Sequence, residues 1–246
     1  KSKAIKKRTA LGRFAHESAA FGKLVAGQPV SVYMGDDSRG EYIYKFVSNA
    51  AWTAADADAA DRIATGDKYL DAGKLYVAKF NADGSGQWIE LSITNPAIAA
   101  YAGYAFADQG DVVVNARLAA DAVGATRMDR PEWCAVHPRT GEVYFTLTNN
   151  SNRRLDPSGS SQMGLDAANP RAYTDQKGSS TQQGNVNGHI LRLREGSAGA
   201  SATAFSWDVY LFGAEAGAAA GVNLSGLTTD QDFSSPDGLA FSQATG

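Results

Sequence analysis

The sequence predicts a mainly β protein: a β-propeller, or part of one, built of antiparallel blades with a helical insertion near 108–123. Three observations carry this expectation. Several stretches alternate apolar and polar residues over strand length, Gly, Asp or Asn clusters separate them, and such strand pairs recur at intervals of several tens of residues. A β-sandwich is the alternative, although it absorbs long insertions less readily.

The elements follow in order. In "PVSVYMGDDSRGEYIYKFVS", Val30, Val32 and Met34 alternate, Asp36 to Gly40 turn, and Tyr42, Tyr44 and Phe46 alternate back. The stretch "AWTAADADAADRIATGDKYLDAGK" reads as a polar linker with one helical turn. "KLYVAKFNADGSGQWIELS" repeats the hairpin plan around "NADGSG". In "FADQGDVVVNARLAADAVGAT", Val112, Val113, Ala116, Ala119, Ala120 and Val123 fall at helical spacing, with Gly124 as the stop. "CAVHPRTGEVYFTLTN" is a third hairpin, and "GHILRLRE" with "FSWDVYLFG" a fourth pair. Between these two lies "NRRLDPSGSSQMGLDAANPRAYTDQKGSSTQQGNVNG", long, polar and without sustained periodicity, so either a functional loop or a disordered one.

With 246 residues, 43% hydrophobic and 20% charged, the chain can bury a full core. A net charge of -3 argues against a nucleic-acid partner, which requires concentrated basic charge. The short opening "KSKAIKKR" reads as a solvated lead-in. One cysteine permits no internal disulfide, and no apolar run is long enough for a membrane span. The chain reads as a single segment, 1–246, of a longer domain cut at both ends.

Four clusters combine acids with special backbone residues: "GRFAHE", "GDDSRGE", "MDRPEW" and "SPDGL". Hard cations need several oxygen donors brought from separate loops, so acids at strand ends suit them. Each cluster also has a plain structural reading. Glu17 can pair with Arg13, His16 can be a satisfied surface histidine, Asp36 and Asp37 suit a hairpin turn, and Asp237 before Gly238 is ordinary turn chemistry. In "RPEW", Arg130 offers a planar fork for phosphate and Glu132 a hard oxygen on the same strand face, the pairing that metal-assisted phosphoryl transfer needs. A plain Arg130–Glu132 salt bridge over a buried Trp133 is the rival reading.

Taken together, "KRTALGRFAHESA", "VYMGDDSRGEYIYKFVS", "RMDRPEWCAVHPRTGEVYFTLTNNS", "NGHILRL" and "FSSPDGLAFS" resemble the PhoX-type secreted alkaline phosphatases, in order along nearly the whole chain. The resemblance implies a β-propeller phosphomonoesterase, periplasmic or secreted, with a mixed calcium and iron cofactor. It implies metal-ligating roles for Glu17, Glu132 and Asp237 and phosphate binding by Arg130. Asp36, Asp37 and Asn150 fall in family motifs without an assigned role. The family's iron-binding thiolate belongs to a "CEEN"-like motif upstream of "GRFxHE", which has no counterpart here, and Cys134 reads as a small buried hydrophobe. Two functions are therefore carried forward: a calcium- and iron-dependent hydrolase of phosphate monoesters, with this chain holding part of the site, and a non-catalytic calcium-binding propeller module. Uncovered sheet edges further lead us to expect self-association of the isolated segment.

Overall fold

The computed structural model describes residues 5–246. Half of the basic opening, Lys1 to Ala4, lies outside the described residues. In the other half, Lys6 and Arg8 are held by Asp67 and Asp71, each contributing an ion pair of 2.7 Å or less.

Eleven strands form: β1 (His16–Phe21), β2 (Pro29–Asp36), β3 (Ile43–Ala51), β4 (Gly73–Phe80), β5 (Ser85–Glu90), β6 (Pro131–Val136), β7 (Val143–Leu147), β8 (Tyr173–Lys177), β9 (Ser180–Gly184), β10 (His189–Arg194) and β11 (Ala204–Phe212). All the hairpins expected from alternation are present. Nine strands share one antiparallel sheet in the order β1-β2-β3-β4-β5-β11-β10-β7-β6. It consists of two up-and-down runs, one of five strands and one of four, the strand number of a propeller blade. Where the sequence suggested separate blades, a short ladder pairing Ser85, Gly86 and Gln87 with Ser206, Phe205 and Ala204 joins the runs. Two edges that would otherwise present unpaired backbone groups thereby satisfy each other.

The sheet curls until its ends, β1 and β6, lie side by side. No ladder joins them; instead the Cys134 amide donates to Ser18 Oγ at 2.9 Å. Gly35 lets β6 also lie close against β2, because a Cβ there would stand 2.6 Å from the Glu132 carbonyl oxygen.

Both faces of β2 and of most of β3 are buried, although apolar and polar alternation ordinarily marks a strand with one solvated face. Inside the curl, Tyr33, Ile43, Trp88, Phe145 and Leu191 form one core. On the outer face Met34, Tyr44, Phe46 and Val77 form a second, roofed by helices. The roof is the insertion near 108–123, which folds as α3 (Gln109–Val114) and α4 (Ala116–Ala122), broken at Asn115, after α1 (Arg62–Leu70) and α2 (Pro96–Ala99). Val112, Ala116, Ala119 and Ala120 face the outer core, as the spacing predicted. The linker before β4 holds more helix than expected: α1 runs nine residues, capped by the Asp61 carboxylate accepting from the Ile63 and Ala64 amides. The long polar insertion contains the hairpin β8–β9, which periodicity did not reveal because its side chains are polar on both faces. No described helix is long and apolar enough to cross a membrane.

A buried ion pair closes one end of the curl. Lys45 Nζ lies 2.7 Å from Glu195 Oε1, which also accepts from Trp88 Nε1 at 2.7 Å, while Tyr33 OH donates to Oε2 at 2.6 Å. Removing one partner leaves the other charged and unpaired in an apolar setting. Glu195→Ala is therefore expected to cost about 3–5 kcal/mol in chemical denaturation. Adding Lys45→Met should recover most of that loss, and an unchanged midpoint in the single variant would refute the account.

Candidate metal and anion site

Glu17 on β1, Glu132 on β6 and Asp237 in the loop after β11 bring carboxylate oxygens within 4.8 Å of one another. Local backbone irregularity aims the first two. The β1–β2 register shifts between His16 and Ser18, and the β6–β7 register shifts between Pro131 and Cys134. Each glutamate thus sits in a bulge, a device that redirects a side chain from the regular pleat. Burial pushes the Glu132 carboxyl up to about 8, aided by the charge of Asp37 and opposed by Arg130. Glu17 makes no ion pair with Arg13 among the described residues.

Asp237 is fixed through its backbone. Its carbonyl accepts from Thr146 Oγ1 at 2.7 Å, the Ser235 amide donates to the Asn187 carbonyl at 2.9 Å, and Ser234 Oγ donates to Asn187 Oδ1 at 2.7 Å. The loop passes over Trp133, whose ring lies next to Gly238. Trp133 is 42% exposed, which corrects the expectation of a buried aromatic. On a strand whose even positions face the seam, it points outward.

Arg130 does not share a regular strand face with Glu132 as expected. It precedes β6, with φ of 63°, a left-handed conformation uncommon outside glycine. The two side chains meet nonetheless. Arg130 Nε donates to Asp37 Oδ1 at 2.8 Å, and Nη2 lies 3.4 Å from Glu132 Oε1. Neither terminal nitrogen makes a hydrogen bond among the described residues, so the end of the fork has only the 3.4 Å ion pair with Glu132.

Beneath Arg130 lies a polar network that no spacing foretold. Asp129 Oδ1 accepts from Arg153 Nε and Asn150 Nδ2, both at 2.8 Å, and Oδ2 accepts from Asn185 Nδ2 at 3.0 Å. Asn150 thus belongs to this support and does not reach the three carboxylates. Asp36 also stands apart. It is fully buried, its Oδ1 accepts from the Ala15 amide at 3.1 Å, and burial raises its carboxyl to about 6. Arg117 Nε lies 3.2 Å from Oδ2, but without the alignment of a hydrogen bond. His16 stacks on Phe14, and Cys134 is engaged with the Tyr33 carbonyl and Ser18, its thiol pushed up to about 11 by burial. Both are scaffold.

Residues 1–246 match the protein family described as alkaline phosphatase PhoX. The chain belongs to the PhoX family. A solved structure, "Pseudomonas fluorescens PhoX in complex with vanadate, a transition state analogue", is 40% identical, with a TM-score of 0.76 over 97% of this chain. The chain spans 39% of that PhoX chain's length. No curated protein matches. Three of the four acid-bearing clusters quoted above, "GRFAHE", "MDRPEW" and "SPDGL", converge here, and "GDDSRGE" supplies Asp37.

One histidine of the network behind this site is shifted as well. His189 Nε2 donates to the Ala168 carbonyl at 2.8 Å, leaving Nδ1 to accept from Asn185 at 2.9 Å. A second proton would face another donor in a desolvated place, and burial lowers the imidazole to about 4. Between pH about 6.5 and about 4 the unfolded chain takes up a proton that the folded one refuses. Stability is therefore expected to fall as pH drops through that window, by roughly 3 kcal/mol from this residue. Proton NMR of His189 checks this; titration near 6.5 would contradict it.

Proposed function

We propose that this PhoX-family chain supplies the phosphate-binding arginine and part of the cation site of a phosphomonoesterase. One observation carries the reading: the end of the Arg130 guanidinium, ion-paired to Glu132 but without a hydrogen bond, lies at a cluster of three carboxylates gathered from distant segments. Carboxylates alone would repel one another, and Arg130 neutralises only one charge. Three hard oxygen donors suit calcium. The iron of the family resemblance needs donors beyond these, since the thiol of Cys134 is buried and committed elsewhere. A bound hard cation would neutralise charge on the phosphoryl oxygens.

The chain's own residues would act as follows. Arg130 binds two oxygens of the phosphate through its terminal nitrogens, a bidentate geometry natural to guanidinium. Asp37 holds Nε, which fixes the plane of the fork before substrate arrives. Glu132 gives up the proton that burial favours when a cation takes its place. The left-handed backbone at Arg130 sets the whole group where a regular strand would not. A periplasmic or secreted location for the parent protein is what the family resemblance suggests.

In the full-length, metal-loaded protein, Arg130→Ala is expected to lower kcat/KM for a chromogenic phosphate monoester by about 100-fold or more. Glu132→Gln and Asp237→Asn should weaken calcium binding in calorimetry and reduce turnover. Full activity in Arg130→Ala would overturn the reading. The lack of a thiolate donor keeps a second reading in play, a non-catalytic calcium-binding module; bound iron with a visible charge-transfer band would exclude it. We also propose that the isolated segment self-associates, supported by the exposed apolar side chains Phe21, Leu24 and Val25 near one end of the sheet. Light scattering is expected to give a mass above that of a monomer, and a dilute monomer with a cooperative melt would count against it.

A further inference from the structure

A polar cavity of about 220 Å³ that the chemistry above does not use is lined by residues from the segments that also carry Asp37 and Arg130. Its walls include Arg39, Arg127, Asn152, Ser160 and Ser161. Arg39 pairs backbone to backbone with Asp129, the neighbour of Arg130, and stands two residues from Asp37. The same two segments therefore build the arginine clamp and one wall of the cavity.

The hydrogen-bonding balance of these walls is uneven. The two carboxylates present, Asp121 and Glu41, are each paired with an arginine, Arg127 and Arg117 respectively, although Glu41 Oε2 is buried without a hydrogen-bond partner. Arg39 is exposed and makes neither a hydrogen bond nor an ion pair among the described residues. The hydroxyls of Ser160 and Ser161 and the side-chain amide of Asn152 are likewise uncommitted. Arg39 is thus the lining arginine without a carboxylate partner, set among neutral hydroxyl and amide groups able to donate, a combination that can receive an anionic group. Its volume is below the roughly 300 Å³ at which pockets begin to enclose whole drug-sized ligands, so it suits one end of a substrate.

We propose that this cavity is a leaving-group subsite in which Arg39 binds an anionic group of the ester, so that phosphate monoesters bearing a second anionic group besides the phosphate are preferred. The proposal rests on the phosphatase reading, with Arg130 on the transferred phosphoryl group and Arg39 on the remainder of the molecule. Ser160, Ser161 and Asn152 come from the polar insertion after β7, which gives that segment a role as the outer wall of the subsite.

The test compares glycerate 2-phosphate with glycerol 2-phosphate, esters that differ by a carboxylate in place of a hydroxymethyl group, on the full-length metal-loaded protein. One charge-assisted contact predicts that Arg39→Ala lowers kcat/KM for the glycerate ester about tenfold and for the glycerol ester less than about twofold. Arg39→Lys should restore part of the preference. Because Arg39 is exposed, the variant is expected to melt with the wild type. Equal loss on both esters, or no loss on either, would overturn the subsite while leaving the phosphatase reading intact. Hydrolysis of neither ester by the wild-type protein would instead remove that reading and the subsite with it.

Discussion

The buried carboxylate of Asp129 is the constraint around which this molecule is arranged. A desolvated charge is tolerated only where a counter-charge and hydrogen bonds meet it, and here Arg153, Asn150 and Asn185 do so from separate stretches of chain. Those partners are themselves tied down. Arg153 Nη2 donates to the Arg127 carbonyl at 2.9 Å, and Arg171 reaches Asn185 Oδ1 at 2.9 Å and the Gly188 carbonyl at 2.7 Å. One side chain thus fastens the turn before β6, the end of β7, the polar insertion and the entry to β10. The next residue along is Arg130, whose left-handed backbone, worth about 1–3 kcal/mol of strain, persists because its surroundings over-determine it.

From that fixed turn the rest of the site follows by geometry. β6 starts out of register with β7, and the bulge rotates Glu132 toward the seam. β1 has its own bulge opposite, at Glu17. Gly35 lets β6 lie close against β2, and Thr146 carries the Asp237 loop over β7. None of these devices is chemical in itself. They bring acids from positions 17, 132 and 237 into one cluster, and they leave the fork of Arg130 beside it.

The hairpins were legible in the sequence because a strand's period of two survives even when both faces are buried: Val32 and Met34 serve the outer core while Tyr33 serves the inner one. The apolar stripe from Val112 to Ala120 was legible for the same reason at helical period. The β8–β9 hairpin was not, since "YTDQKGSSTQQG" has no apolar face to repeat. Glu17, Arg130, Glu132 and Asp237 could be named from motif resemblance, whereas their convergence depends on two bulges and a seam that no local pattern encodes. Asp129 and Asn150 lay inside quoted motifs, yet their pairing across the fold is a tertiary fact. Trp133 misled because aromatic residues on strands are usually buried, and here the segment above it covers only part of the ring.

The unladdered seam between β1 and β6 gives the site a mechanical meaning. Glu17 and Glu132 stand on opposite banks of a line where hydrogen bonding to Ser18 replaces the backbone ladder. A ligand gripped by both banks would bear load across that line, so its binding free energy would reappear as resistance to uncurling of the sheet. Closure of the sheet and occupancy of the carboxylates are, in that sense, two readings of a single equilibrium.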